Sequence, residues 1–206
     1  LGAITRPALS GNEIGLSFYL EGILKKVAPA WMVMSPQETA TRINAQGLTE
    51  EYVRMRLRFE DSRILDRNIL KKIGEAIGVR YVFLPSLADF SQRMTVRWTF
   101  PLINTRVMET RSSNMRMSLY LWNVETGELL WECIAEAAME REAISQDPIY
   151  MEDIARATLG SIVSDFLNRK RASKYTPLSK FLDDLIKEAI PEEKPKEDEL
   201  GELPAK

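Results

Sequence analysis

Few residues in this chain have side chains and spacing suited to chemistry. Cys133 is the one cysteine and there is no histidine. A cysteine nucleophile needs a neighbour that raises its thiolate fraction, and imidazole is the usual one. Cys133 instead stands mid-run in Leu129-Leu130-Trp131-Glu132-Cys133-Ile134-Ala135, on the side of Trp131. Burial there raises a thiol pKa, so the position reads as core packing. The same counts remove the usual zinc ligand sets and any internal disulfide. Glu132 and Glu136 could form a carboxylate pair for general acid-base work. Alternate outward positions on a hairpin are, however, where solvated charges stand.

Gly74 and Gly78 fall at helix positions, and no Lys-Ser or Lys-Thr follows a glycine-rich turn, so no phosphate-cradling loop is present. Arg54, Arg56 and Arg58, with Arg63 and Arg67, make the densest basic region. Glu50, Glu51, Glu60 and Asp61 lie among them, and the run reads as a solvated, charge-balanced helix face. A formal net charge of −2 and a pI near 5.5 supply no global field for phosphates, so no nucleic-acid partner is expected. The expectation is a protein that is not an enzyme and holds no metal or cofactor.

The elements that must position these residues follow from periodicity. Residues 1–15 read as an extended lead-in, rich in Gly, Pro and Ser. From Leu16 the apolar residues Leu16, Leu20, Ile23, Leu24 and Val27 recur at helical spacing until Pro29. Trp31–Met34 reads as a short buried strand. Ser35-Pro36-Gln37-Glu38 is a helix start: Ser35 caps, Pro36 suits the first turn, and Glu38 can return a bond to the Ser35 amide. That helix runs to about Gln46 and stops at Gly47. Thr49 caps the next helix, with Val53 and Leu57 as its buried positions and Arg54, Arg56 and Arg58 as its basic face. A further helix, around Asp66 to Ala76, presents Leu65, Ile69, Ile73, Ala76 and Ile77 as one stripe and ends at Gly78 in the left-handed conformation.

Val79 to Leu84 is β-branched and aromatic, as in a central strand covered on both faces. Residues 92–100 alternate, with Met94, Val96, Trp98 and Phe100 on one side, and read as a separate half-buried strand. The stripe invites an outer-membrane hairpin reading. The return segment, Thr105–Arg111, is charged and alternates poorly, so ordinary sheet packing is preferred. Ser112-Ser113-Asn114 reads as a turn. Residues 115–137 then form a β-hairpin about Val124-Glu125-Thr126-Gly127-Glu128, with Gly127 at the position that needs positive φ. Leu129, Trp131, Cys133, Ala135 and Ala137 share its inner face, and Tyr120 and Trp122 stand on its outer one. A long helix from Tyr150 carries Met151, Ile154, Ala155, Leu159, Ile162, Val163 and Phe166 inward.

The fold class expected is α/β (α+β), a mixed or antiparallel sheet with the hairpin in its C-terminal half, backed by several helices. A chain of 206 residues, 45% hydrophobic and 28% charged, has room for one globular domain, assigned to 16–171. Residues 172–190 read as an amphipathic helical extension carrying Phe181, Leu182, Leu185 and Ile186, and 191–206 as a disordered acidic tail. No apolar run approaches the roughly 20 residues of a spanning helix. The chain begins at Leu1 rather than methionine, which fits a trimmed chain or a mature protein whose leader has been removed.

Two stretches, Leu70-Lys71-Lys72-Ile73-Gly74-Glu75-Ala76-Ile77-Gly78-Val79-Arg80-Tyr81-Val82 and the hairpin around Val124-x-Thr126-Gly127-Glu128-x-x-Trp131, carry a resemblance. They resemble the bacterial envelope lipoprotein superfamily that contains CsgG, LpoB and the TolB amino-terminal domain, over roughly residues 16–170. The resemblance implies an exported, often lipidated protein that acts in complexes at the outer membrane. On that basis the expected role is a periplasmic accessory or scaffold lipoprotein. Its partners would be envelope proteins or further copies of itself, and any membrane attachment would be a lipid anchor outside these residues. The alternative is a subunit of a CsgG-like secretion pore. The candidate interface residues are Tyr120, Trp122, Phe181, Leu182, Leu185 and Ile186.

Overall fold

The computed structural model describes residues 1–99, 106–143 and 149–168. It is a mixed α/β fold: a four-stranded sheet in the order β1-β2-β3-β4 with five helices around it. The strands are β1 (Ile4–Thr5), β2 (Tyr81–Thr99), β3 (Arg106–Asn123) and β4 (Leu129–Ala143). The helices are α1 (Glu13–Val27), α2 (Pro36–Ala45), α3 (Thr49–Ser62), α4 (Arg67–Ile77) and α5 (Met151–Leu167). β1 runs parallel to β2, and β2, β3 and β4 form an antiparallel meander.

Local chemistry sets the helix boundaries. The Ser35 hydroxyl accepts the Glu38 amide at 3.1 Å, as the cap motif requires. Glu38 does not return the bond; its carboxylate takes the Arg42 guanidinium at 2.6 Å, one turn on. Asp66 accepts from the amides of Asn68 and Ile69, and Gly78 closes α4 at φ 76°. Thr49 is the first residue of α3 rather than its cap; the cap position falls on Leu48, and the Thr49 hydroxyl donates to Asn44 Oδ1.

Both faces of the sheet are covered over its first half. On one face α1 and α5 pack together over Leu87, Met117, Leu119, Leu121, Trp131 and Cys133. Phe166 of α5 is the hub, with its ring centroid 5.0 Å from Trp131 and 5.6 Å from Phe83. On the other face α2, α3 and α4 bring Ile43, Met55, Phe59, Leu70 and Ile73 onto Val82, Leu84, Tyr120 and Trp122. Val82 and Leu84 thus serve one core while Tyr81 and Phe83 pack against the other, as a doubly covered strand requires.

Several expectations are corrected. Residues 1–5 are not a free lead-in: Ile4 and Thr5 join the sheet as β1, Ile4 pairing with Ser86, and Ala3 and Ile4 are buried. Trp31–Met34 is not a strand; it is the irregular link that carries the chain from the first face to the second. Residues 81–99 are one strand, not two, and Ser112-Ser113-Asn114 is not a turn but mid-strand, paired with Arg93, Gln92 and Ser91. In α3 the buried pair is Met55 and Phe59, whereas Val53 and Leu57 are 48% and 58% exposed. Met55 and Phe59 are also four apart, on nearly the opposite side of the helix, and the larger side chain wins because the Phe59 ring meets Tyr120 edge-on at 5.2 Å.

The hairpin closes as expected, with Gly127 at φ 72° and Met115 opposite Ala137. Irregularities in register occur at Leu87/Asp89 in β2 and beside Leu121/Trp122 in β3. The second leaves Leu130 unmatched, so Leu130 and Trp131 join the first core while Leu129 packs against the other, off the face expected for it.

Candidate interaction surface

The helices stop covering the sheet near the pair Arg116↔Glu136, but the strands continue. β2 stays paired with β3 out to Thr99↔Arg106, and β4 with β3 out to Glu109↔Ala143. The result is a three-stranded arm. On its second face Asn114, Arg116, Ile134, Glu136, Ala138 and Glu140 are exposed. On its first face the chain entering α5 makes the last crossing: Ile149 is buried there, and its carbonyl accepts from Gln92 Nε2 at 2.8 Å. One residue pair further out, Met94 is 58% exposed, against the half-buried stripe expected for it.

Both long edges of the arm are open among the described residues. β1 covers β2 only at Ser86 and Leu87, and no strand lies beyond β4. Two shallow grooves flank Ile149. One is lined by Met139, Glu140, Asp153 and Arg156, and the other by Gln92, Arg93, Arg111 and Ser112. Unpaired backbone donors and acceptors along a strand edge are a template for another extended segment.

The residues with chemical potential are dispersed. Cys133 is buried against the first core, and burial, with Asp165 and Glu132 adding to it, pushes its thiol up to about 11. A thiol so protonated is a poor nucleophile near neutral pH. Glu136 is taken by Arg116 at 3.0 Å in an exposed cross-strand pair. Glu132 is half-buried opposite Tyr120 on β3. Among the described residues no group of acidic or cysteine side chains could hold a metal ion.

The arginines divide. Arg56 is not on a solvated face: its guanidinium donates to the Ala3 carbonyl and lies over the Tyr52 ring, tying α3 to β1. Arg63 lies over Phe59, and Arg58 approaches Asp66 at 3.8 Å.

Tyr120 and Trp122, expected to stand outward, are core residues at 6% and 5% exposure. Alternation put them on the face opposite Leu119 and Leu121 correctly, but α2–α4 cover that face too. Burial pushes the Tyr120 hydroxyl above the ordinary phenol range; a hydrogen bond with Ser118 opposes the shift, and the Glu132 carboxylate adds to it. Phe181, Leu182, Leu185 and Ile186 lie outside the described residues. Sequence reasoning missed the arm because β3 was divided at a turn assigned to 112–114 and β2 was read as two separate strands. The signal available was alternation across 92–99, which needs a paired strand of similar length.

No family model matches the chain, and no curated protein matches it. Among solved structures it is similar to lipoprotein GNA1162 from Neisseria meningitidis, at 12% identity and a TM-score of 0.43. The match covers 82% of this chain and 93% of that one. At this level of likeness the neighbour's role does not transfer to this chain.

Proposed function

We propose that this chain is a non-enzymatic accessory or scaffold protein of the bacterial cell envelope that binds other proteins through its arm. The observation that carries the reading is the arm itself: paired strands that outrun their helices, with two open edges and an exposed second face. A sheet that only had to fold would end where its cover ends, because exposed strand edges invite association. The compartment rests on the resemblance of residues 70–82 and 124–131 to the CsgG, LpoB and TolB group. It implies a periplasmic protein with a lipid anchor at the outer membrane. No helix among the described residues is long and apolar enough to cross a membrane.

The pore reading keeps one observation in its favour: residues 92–99 and 106–113 are regularly paired, a better hairpin than the sequence promised. The register weighs against it. Met94 is partnered by Arg111, so charge interrupts what would have to be the lipid-facing band.

A photo-crosslinking residue at Ala138 or Glu140 tests the reading, with Glu75 on α4 as the control position. The expected result, in cells, is an adduct of defined mass from the arm positions alone, containing an envelope protein or a second copy of the chain. Equal labelling from Glu75, or no adduct from the arm, would sink it. A detergent-requiring ring on sizing would favour the pore. Turnover abolished by Glu132→Gln would instead revive an enzyme.

A further inference from the structure

Met32 is 97% exposed, the most exposed large apolar residue described. Its neighbours explain why it cannot turn inward. Trp31 is fixed between Phe83 and Phe166, at ring distances of 6.2 and 5.9 Å, and Val33 packs against the same core. Met34 packs against the other core. The link between α1 and α2 is therefore pinned on both sides of the sheet, and Met32 is held out at the bend between them. Pro29 and Ala30 are exposed beside it, and Val27, at the end of α1, is exposed as well. Residues 27–37 contain no charged side chain.

Immediately before this apolar tip come Lys25 and Lys26, both exposed. Lys25 meets Glu21 at 2.7 Å, one turn back along α1, and Lys26 has no ion-pair partner among the described residues. The last turn of α5 reaches the same end of the molecule, since Phe166 touches Trp31. An uncharged apolar projection with basic residues at its base matches a membrane surface: the projection enters the acyl boundary while the cations meet anionic headgroups.

We infer that the α1–α2 link, with Met32 at its tip and Lys25 and Lys26 at its base, is a contact site for an anionic lipid surface. This goes beyond the protein-binding reading and does not depend on it, because the tip and the arm are separate surfaces. The contact is a weak one, orienting the protein on a bilayer rather than anchoring it.

The test is co-sedimentation of the protein with vesicles of phosphatidylethanolamine and phosphatidylglycerol, and with phosphatidylcholine vesicles for comparison. The expected result is association with the anionic vesicles that weakens with added salt and is much poorer on phosphatidylcholine. Met32→Asp should lower that association about tenfold or more while leaving the melting temperature unchanged. Replacing Lys25 and Lys26 by Glu should lower it by at least roughly five-fold for each lysine removed. Three outcomes would overturn the inference. The first is failure of the protein to sediment with anionic vesicles at low salt, and the second is binding of those vesicles by Met32→Asp as tightly as by the parent. The third is a dimer on sizing that Met32→Asp converts to monomer with vesicle association unchanged, which would give the tip to a second copy. None of these bears on crosslinking from Ala138 or Glu140, so the two proposals fail separately.

Discussion

β3 passes through two environments. From Met115 to Tyr120 and on to Trp122 its side chains are buried with the exception of Arg116, those of odd number against α1 and α5 and those of even number mainly against α2 to α4. From Thr110 to Asn114 the strand continues with the same hydrogen-bonded neighbours, yet only Ser113 is fully buried. Backbone pairing is common to both halves; helix cover is not. The fold's stability and its candidate binding surface are thus parted along single strands rather than between domains. Free energy comes from apolar area removed from water, and the arm has little of it.

The largest expected contrast is in amide hydrogen exchange. Amides of Leu119 and Leu121 should exchange only on global unfolding, which for a domain of this kind costs on the order of 5–15 kcal/mol. Those of residues 93–95, on the open edge of the arm, should exchange by local opening at a small fraction of that. Uniform protection along β2 would show that the arm is as stable as the covered half. Next in size are truncations in the covered half. Trp131→Ala and Phe59→Ala empty the two cores separately, and each should cost about 3–5 kcal/mol in urea unfolding. Because the cores lie on opposite faces of the sheet, the two losses should be close to additive.

Gly74→Ala should cost less, about 1–3 kcal/mol, by overpacking. A Cβ there would stand 1.9 Å from Val124 Cγ1, where α4 crosses the start of the hairpin turn. Val124→Ala in the same chain should recover part of the loss, and a Gly74→Ala protein as stable as the parent would mean that α4 can shift freely. The smallest effects belong to the exposed positions. Met94→Ser on the arm and Leu57→Ser on α3 should each change stability by less than about 0.5 kcal/mol. A loss of several kcal/mol from Met94→Ser would show that the arm folds against something.

The parts legible in the sequence are those decided locally. Ser35-Pro36 starts a helix, Asp66 caps one, Gly78 ends one and Gly127 turns a hairpin, each through a backbone requirement met within a few residues. The face of α5 was legible too, because only one apolar stripe is available on it. Where two readings compete, long-range packing decides. α3 offers both Val53 with Leu57 and Met55 with Phe59, and nothing within the helix says that Tyr120 waits for Phe59. Tyr120 and Trp122 look outward to any rule that assumes a sheet has one wet face. Ser112-Ser113-Asn114 has turn composition, but a strand that has left its helices tolerates polar residues on both sides. Of the six interface candidates, the two in the described residues proved to be core, and the arm that replaces them needed the strand pairing to be seen.

The irregularity at Leu87/Asp89 has a consequence for how the arm's two surfaces are specified. Up to Leu87 the residues of odd number on β2 turn toward the α1–α5 side; beyond Ala88, which has no partner on β3, the even-numbered Phe90 takes over that side. Side chains on a strand alternate with a period of two, so one unmatched residue reverses the parity of everything that follows. Ala88 thus acts as a reading-frame marker. With one residue fewer there, Asp89 would still oppose Arg116 and Phe90 would still oppose Met115, so the helix-covered half and both sides of the arm would keep their places. A single-codon deletion at Ala88 would therefore be absorbed, whereas one at a paired residue further along β2 would exchange the two faces of every β2 residue that follows.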